Sequence, residues 1–168
     1  MKNIGNTKFD TLFLAKGAII AALYVVLTLM FAPISYGAVQ VRIAEALTIL
    51  PLFTPAAIPG LFVGCILANI LGGAIIWDII FGSLATLIGA WFGYMLRKNR
   101  WLVPIPAIIS NSIIVPLVLR FGYGVDMPIF MLVLYIMIGE IAGCYMLGEF
   151  LATLIKKQRI FVLSENTL

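Results

Sequence analysis

Long runs of apolar residues, broken at short intervals by Gly, Pro and small groups of charge, dominate the chain. A helix crosses about 30 Å of hydrocarbon in about 20 residues. Read at that length, the runs predict helices over 14–32, 43–57, 59–73, 76–96, 101–121 and 128–155. The second and third are short and flank Pro51, Pro55 and Pro59. Each Pro removes a backbone donor, so these segments are either short spans or a re-entrant pair buried by neighbours, and both versions keep the sidedness of everything downstream. The expected fold is an all-α membrane protein: a compact bundle of six transmembrane helices forming one integral membrane domain over residues 1–168.

Composition agrees. Of 168 residues 63% are hydrophobic and 11% charged, and the mean hydropathy is +1.14, against about 45–50% apolar and about 25% charged in soluble domains. Eleven basic and seven acidic residues cannot solvate a water-soluble fold, which excludes disorder, nucleic-acid binding and cytosolic enzyme folds. With no histidine, His-based acid/base chemistry, His proton relays, His-ligated haem and the usual zinc sites are excluded. Cys65 and Cys144 lie far apart in apolar runs without metal or redox spacing and read as small buried hydrophobes. No cofactor and no metal is expected.

The cations set an orientation. Lys2, Lys8 and Lys16 precede span one, Arg97, Lys98 and Arg100 follow span four, and Lys156, Lys157 and Arg159 follow span six, so nine of the eleven fall on one side. Arg42 and Arg120 fall on the other. Both termini are therefore expected in the cytoplasm, and the pI of 9.2 needs no nucleic-acid partner. The basic start and the run Gly17–Phe31, with Ser35 and Gly37 after it, also resemble a signal peptide; span one's own packing surface argues against its removal.

That surface is made of small residues at four-residue spacing, which let membrane helices approach closely. Span one carries Gly17 with Ala21 and Ala18 with Ala22, span three Gly60, Gly64, Ala68 and Gly72, and span four Ala85, Gly89 and Gly93. Span six carries Gly139 and Gly143, then Gly148 and Ala152. Internal packing explains spans three, four and six, whereas span one's stripe lies near the cytoplasmic end, within reach of a partner subunit.

A charge in mid-bilayer costs roughly 2.5–3.5 kcal/mol on insertion scales, so polar residues within spans mark sites until paired off. Arg42 and Glu45 open span two, Asp78 opens span four, Arg120 ends span five and Asp126 precedes span six, all expected near the outer surface. Asn69 lies one turn inside span three, Asn111 sits near the middle of span five, and Tyr36 and Gln40 add polar groups in the first loop. Glu140 falls roughly 18 Å along span six, near the membrane centre. The set describes an outward-facing cup. The plain alternative pairs Arg42 with Asp78 or Glu45, and Arg120 with Asp126, as interfacial salt bridges, while Glu140 is protonated and bonded to a neighbouring helix. Glu45 and Asn111 have no evident partner within their own helices. No G-x-x-x-x-G-K-[ST], H-E-x-x-H or G-x-S-x-G sequence occurs, so binding is favoured over catalysis, and any ATP hydrolysis by the Walker route must come from elsewhere.

The segment Tyr36-Gly37-Ala38-Val39-Gln40-Val41-Arg42-Ile43-Ala44-Glu45-Ala46-Leu47-Thr48, then Ala57-Ile58-Pro59-Gly60-Leu61-Phe62-Val63-Gly64-Cys65 with Ala68-Asn69, and the run Asp78-Ile79-Ile80-Phe81-Gly82-Ser83-Leu84-Ala85-Thr86-Leu87, resemble the QueT family. The resemblance covers roughly residues 16 to 155, with Ala38 where a Pro is expected. Members are substrate-binding S components of energy-coupling factor (ECF) transporters, an ABC importer class. The resemblance implies a six-helix S component at the cell membrane that captures a queuosine precursor, a 7-deazaguanine such as queuine or prequeuosine, from outside. It implies as partners a coupling transmembrane subunit and two cytoplasmic ATPases. It assigns Ala18 and Ala22 to the coupling contact and residues 33–42, 73–77 and 121–127 to gating loops. A 7-deazaguanine offers donors to a carboxylate, a carbonyl to Arg or an amide and a flat ring to aromatics, so Glu45, Arg42, Gln40, Tyr36, Asn69, Asp78, Asn111 and Glu140 are the expected binding residues. A cationic side group on the ligand calls for a second carboxylate, Asp78 or Glu140. An S component for another vitamin or nucleobase, a self-sufficient carrier or small channel, and an intramembrane enzyme are the rival readings.

Overall fold

The computed structural model describes residues 11–35 and 42–158. Among them the chain is helical throughout, with short connections and no strand. Span one is Thr11–Met30, followed by a turn of helix at Ala32–Ser35. Span two is a 3-10 helix, Ile43–Leu52; span three is Ala57–Leu71 and span four Ile76–Met95. Span five enters through a short 3-10 turn at Arg100–Leu102, runs as α-helix over Ile105–Leu117 and widens into a π turn at Val118–Gly122. Span six is α-helical over Ile129–Glu140, π-helical over Ile141–Leu147 and α-helical again over Gly148–Gln158. Four segments, Thr11–Met30, Ile76–Met95, Arg100–Gly122 and Ile129–Lys157, are long and apolar enough to cross a membrane, and Ile43–Leu52 and Ala57–Leu71 are shorter apolar helices. The six expected segments are all present.

Connectivity gives the bundle two ends, one carrying the turn at Arg100 and one carrying Asp126. Leu23, Ile70, Trp91, Ile113, Phe130 and Phe150 all face outward. So much apolar side chain on the outside suits lipid and not water. Inside, the small-residue stripes make the contacts. A Cβ on Gly60 would lie 2.7 Å from the Gly17 carbonyl oxygen, and one on Gly89 would lie 2.6 Å from the Ala107 Cα. Ala18 and Ala22 lie on the exposed side of span one, away from that packing.

Span two is the centre of the bundle. It packs against spans one, three, four and six, and every residue from Ala44 to Pro51 is buried. Its backbone can sit there because its hydrogen bonds close within the segment. Gly143 and Gly148 of span six make room for it: a Cβ at Gly143 would lie 2.9 Å from the Arg42 carbonyl oxygen, and one at Gly148 would lie 3.4 Å from that of Ala46.

Arg42 and Glu45, at the start of this helix, are buried at 5% and 1% exposure. A 3-10 helix rises about 2.0 Å per residue, so ten residues cover about 20 Å, less than the hydrocarbon thickness. Past its far end the chain turns at Ala56, 3.5 Å from where a Gly17 Cβ would be, toward the Arg100 end. Span two ends at Leu52, five residues before the sequence-based boundary.

Candidate functional site

Three residues per turn put Arg42, Glu45 and Thr48 above one another on one face. Around that face the other spans place their polar side chains. Tyr24 of span one donates to Glu45 Oε1 at 2.5 Å, and Thr28 one turn later holds the Tyr24 carbonyl at 2.8 Å. Thr48 Oγ1 donates to the Glu45 carbonyl at 2.6 Å. From span six, Cys144 Sγ donates to Glu140 Oε2 at 3.0 Å and lies 4.0 Å from Glu45 Oε2. Glu140 also has a side-chain hydrogen bond with Asn111 of span five. The π turn that begins at Ile141 keeps Glu140 and Cys144 on the side of span two.

A second group continues from Arg42 toward the Asp126 end. Arg42 lies 3.6 Å from Asp78 Oδ2 through its terminal nitrogen, and its Nε donates to the Ser35 carbonyl at 3.4 Å. Asn69 Nδ2 donates to the Asp78 carbonyl at 3.2 Å, and Tyr123 donates to Asp78 Oδ2 at 3.3 Å. Tyr123 stands outside the spans, and its phenol is raised above the ordinary range by burial, with the Asp78 charge adding to the shift. It therefore stays protonated at neutral pH and remains a donor. Nearby, Thr86 Oγ1 and Asn69 Nδ2 approach Cys65 Sγ at 3.5 and 3.7 Å.

All six expected binding residues that are described, Arg42, Glu45, Asn69, Asp78, Asn111 and Glu140, are buried, none more than 6% exposed. They meet in one interior network. Tyr36 and Gln40 lie outside the described residues. Arg120 and Asp126 pair with each other at 2.8 Å on the surface, and Asp126 is 99% exposed. Sequence reasoning missed Tyr24, Thr48, Tyr123 and the polar roles of Cys65 and Cys144. The available signal was Tyr24 with Thr28 inside an otherwise apolar helix, since a buried phenol needs a partner. Both cysteines are buried and unbonded to each other, as expected of small core residues, but each also borders the polar groups.

Chemically, the network presents three carboxylates and one guanidinium in a low-dielectric interior. Glu45, Glu140 and Cys144 each offer an atom within 4.8 Å of one another, a set that could hold a cation. A flat, hydrogen-bonding heterocycle would meet a donor in Arg42 and acceptors in the carboxylates and Asn69.

The comparisons with known proteins agree on a family. The sequence profile described as QueT transporter matches residues 14–157. A curated relative, the Queuosine precursor transporter QueT of Lactococcus lactis subsp. cremoris (strain MG1363), is 39% identical over 82 residues, 47% of this chain and 47% of the relative, so the match spans about half of its length. No solved structure matches the chain significantly. With four helices able to cross a bilayer, the chain is a multi-pass membrane protein.

Proposed function

The chain belongs to the QueT transporter family, and from that premise we propose that it is the substrate-capture (S) component of an ECF-type importer, a non-enzymatic binding domain over residues 1–168 that takes a queuosine precursor from outside the cell. The observation that carries this reading is the buried network around Arg42 and Glu45, because ionisable groups within membrane spans are rare and mark substrate sites. A 7-deazaguanine matches it: a carboxylate takes the N1 and N2 hydrogens, and Arg42 or an amide takes the carbonyl. The relative named as a queuosine precursor transporter supports the same substrate class.

A coupling transmembrane subunit and two cytoplasmic ATPases complete the importer in this reading, since the sequence has no Walker A motif. The exposed Ala18 and Ala22 are the proposed coupling contact. Ala18 also lines a groove of about 170 Å³ between spans one and three, with Phe13, Leu14, Pro59 and Val63, where a partner helix gains close backbone approach. The nine-to-two split of cations puts the Arg100 end in the cytoplasm. Impermeant thiol reagents should then label a cysteine at position 126, and not one at 99, in intact cells expressing a Cys-free background.

The decisive experiment is titration of the purified protein with queuine and prequeuosine, paired with uptake in cells holding or lacking the ATPases. Binding by the isolated chain and uptake only with the ATPases are expected. Uptake without them makes the protein a self-sufficient carrier, and binding of neither compound ends the 7-deazaguanine reading. Ala22→Leu should reduce uptake while binding persists.

A further inference from the structure

Among the described residues the buried network holds more carboxylates than cations. Among the described residues the buried charged side chains are Arg42, Glu45, Asp78, Glu140 and Glu149. Glu149 belongs elsewhere, ion-paired with Arg100 at the Arg100 end. One buried guanidinium among the described residues thus faces three buried carboxylates, and it lies 3.6 Å from Asp78. Glu45 and Glu140 stand together, each with an oxygen within 4.8 Å of the other's and of Cys144 Sγ. Two buried carboxylates this close are costly to hold both ionised, and a proton or a cationic group between them relieves the repulsion.

A separate observation points to a ligand rich in donors. Asp78 Oδ1 and Asn69 Oδ1 have no hydrogen-bond partner among the described residues, although their residues are only 1% and 0% exposed. Native interiors leave few such atoms, and each one present calls for an explanation. Asp78 meets Arg42 through its other oxygen, and Asn69 donates to the Asp78 backbone, so both free acceptors adjoin the same network. Hydrogens are what they lack.

We propose that the Glu45 and Glu140 carboxylates receive a cationic nitrogen of the cargo while Asp78 and Asn69 accept from its ring N–H groups, so that the protein selects 7-deazaguanines bearing an ammonium group over the uncharged nitrile form. This rests on the 7-deazaguanine reading and adds a chemical criterion to it. A primary or secondary ammonium supplies the missing charge and two or three donors at once. A nitrile offers only a further acceptor to Glu45 and Glu140 and brings no positive charge between them.

The test titrates the purified full-length protein with 7-aminomethyl-7-deazaguanine and with 7-cyano-7-deazaguanine, with and without chelator, for the parent and for Glu140→Gln. The aminomethyl compound should bind at least tenfold more tightly to the parent, and in Glu140→Gln that preference should shrink to under threefold. Chelator should change neither result. Equal affinities in the parent, or an unchanged preference in folded Glu140→Gln, overturn the ammonium site and leave the 7-deazaguanine reading standing. Affinity lost in chelator assigns Glu45, Glu140 and Cys144 to a divalent cation instead and overturns it too. Binding of neither compound removes the reading beneath it. Should Glu140→Gln fail to fold, the preference of the parent decides alone.

Discussion

Two arginine–aspartate pairs lie at different depths of this bundle, and the longer one matters more. Arg120 and Asp126 meet at 2.8 Å with side chains 38% and 99% exposed. Arg42 and Asp78 stand 3.6 Å apart with side chains 5% and 2% exposed. At the surface, water and salt screen the attraction, and holding two long side chains together costs entropy, so short contacts contribute little. In the interior the same charges have been stripped of water, and each depends on its partner and on the surrounding donors. Burial, more than contact distance, separates a site from a rim.

The largest effect expected from this contrast follows removal of the buried cation. Arg42→Ala leaves Asp78 uncompensated beside Glu45 and should destabilise the protein by about 3–5 kcal/mol, the range for breaking a buried pair from one side. Thermal or denaturant unfolding in detergent measures it. A loss under about 1 kcal/mol would place Arg42 in contact with water and erase the distinction between the two pairs.

Glu45→Gln comes next, because it alters charge while keeping shape. A buried carboxylate that holds the cargo's cationic nitrogen through a charge-assisted hydrogen bond contributes roughly 2–3 kcal/mol over an uncharged amide. That is about a 30- to 150-fold loss of affinity. If Glu45 serves only to balance Arg42 and hold Tyr24, the variant loses thermal stability and its folded fraction binds as the parent does. Isothermal titration on folded protein separates these outcomes, and affinity within twofold of the parent removes Glu45 from the site.

The sequence made the membrane class, the six helical segments and most of the network's members legible, for one reason: polar residues are so rare in these spans that each is conspicuous. Winding was not legible. Composition does not say that Ile43–Leu52 winds as a 3-10 helix, and that winding is what carries Glu45 inward to Glu140 and Cys144. Span six did carry a hint. Its small residues step by four from Gly139 to Gly143, by five to Gly148 and by four to Ala152, and the step of five falls where the helix is π-wound, Ile141–Leu147. Tyr24 went unread because a tyrosine suits apolar surroundings until its hydroxyl is followed to a partner.

Tyr24→Phe tests that partner and should have a smaller effect. It deletes the hydroxyl that donates to Glu45 Oε1 while keeping the ring packed between spans one and three. The expected loss of stability is about 0.5–1.5 kcal/mol, the net range for one hydrogen bond, toward the upper end because the acceptor is a carboxylate. Affinity should fall along with stability if the hydroxyl orients Glu45 for the ligand. A variant as stable as the parent would mean that Glu45 finds another donor, and its placement would then rest on Thr48 and span six alone.

The smallest effect belongs to the rim. Arg120→Ala removes one bond to the Val125 carbonyl at 3.0 Å and the contact with Asp126, both in a loop open to solvent. The unfolding midpoint should stay within about 2 °C of the parent and affinity within about twofold. The result is informative because Tyr123, three residues along the same loop, donates to Asp78. Should Arg120→Ala cut affinity tenfold while the midpoint holds, the rim pair must be fixing the Tyr123 hydroxyl over Asp78. The boundary between surface and site would then run outside Arg120, and the exposed pair would act as a positioning device for the buried one.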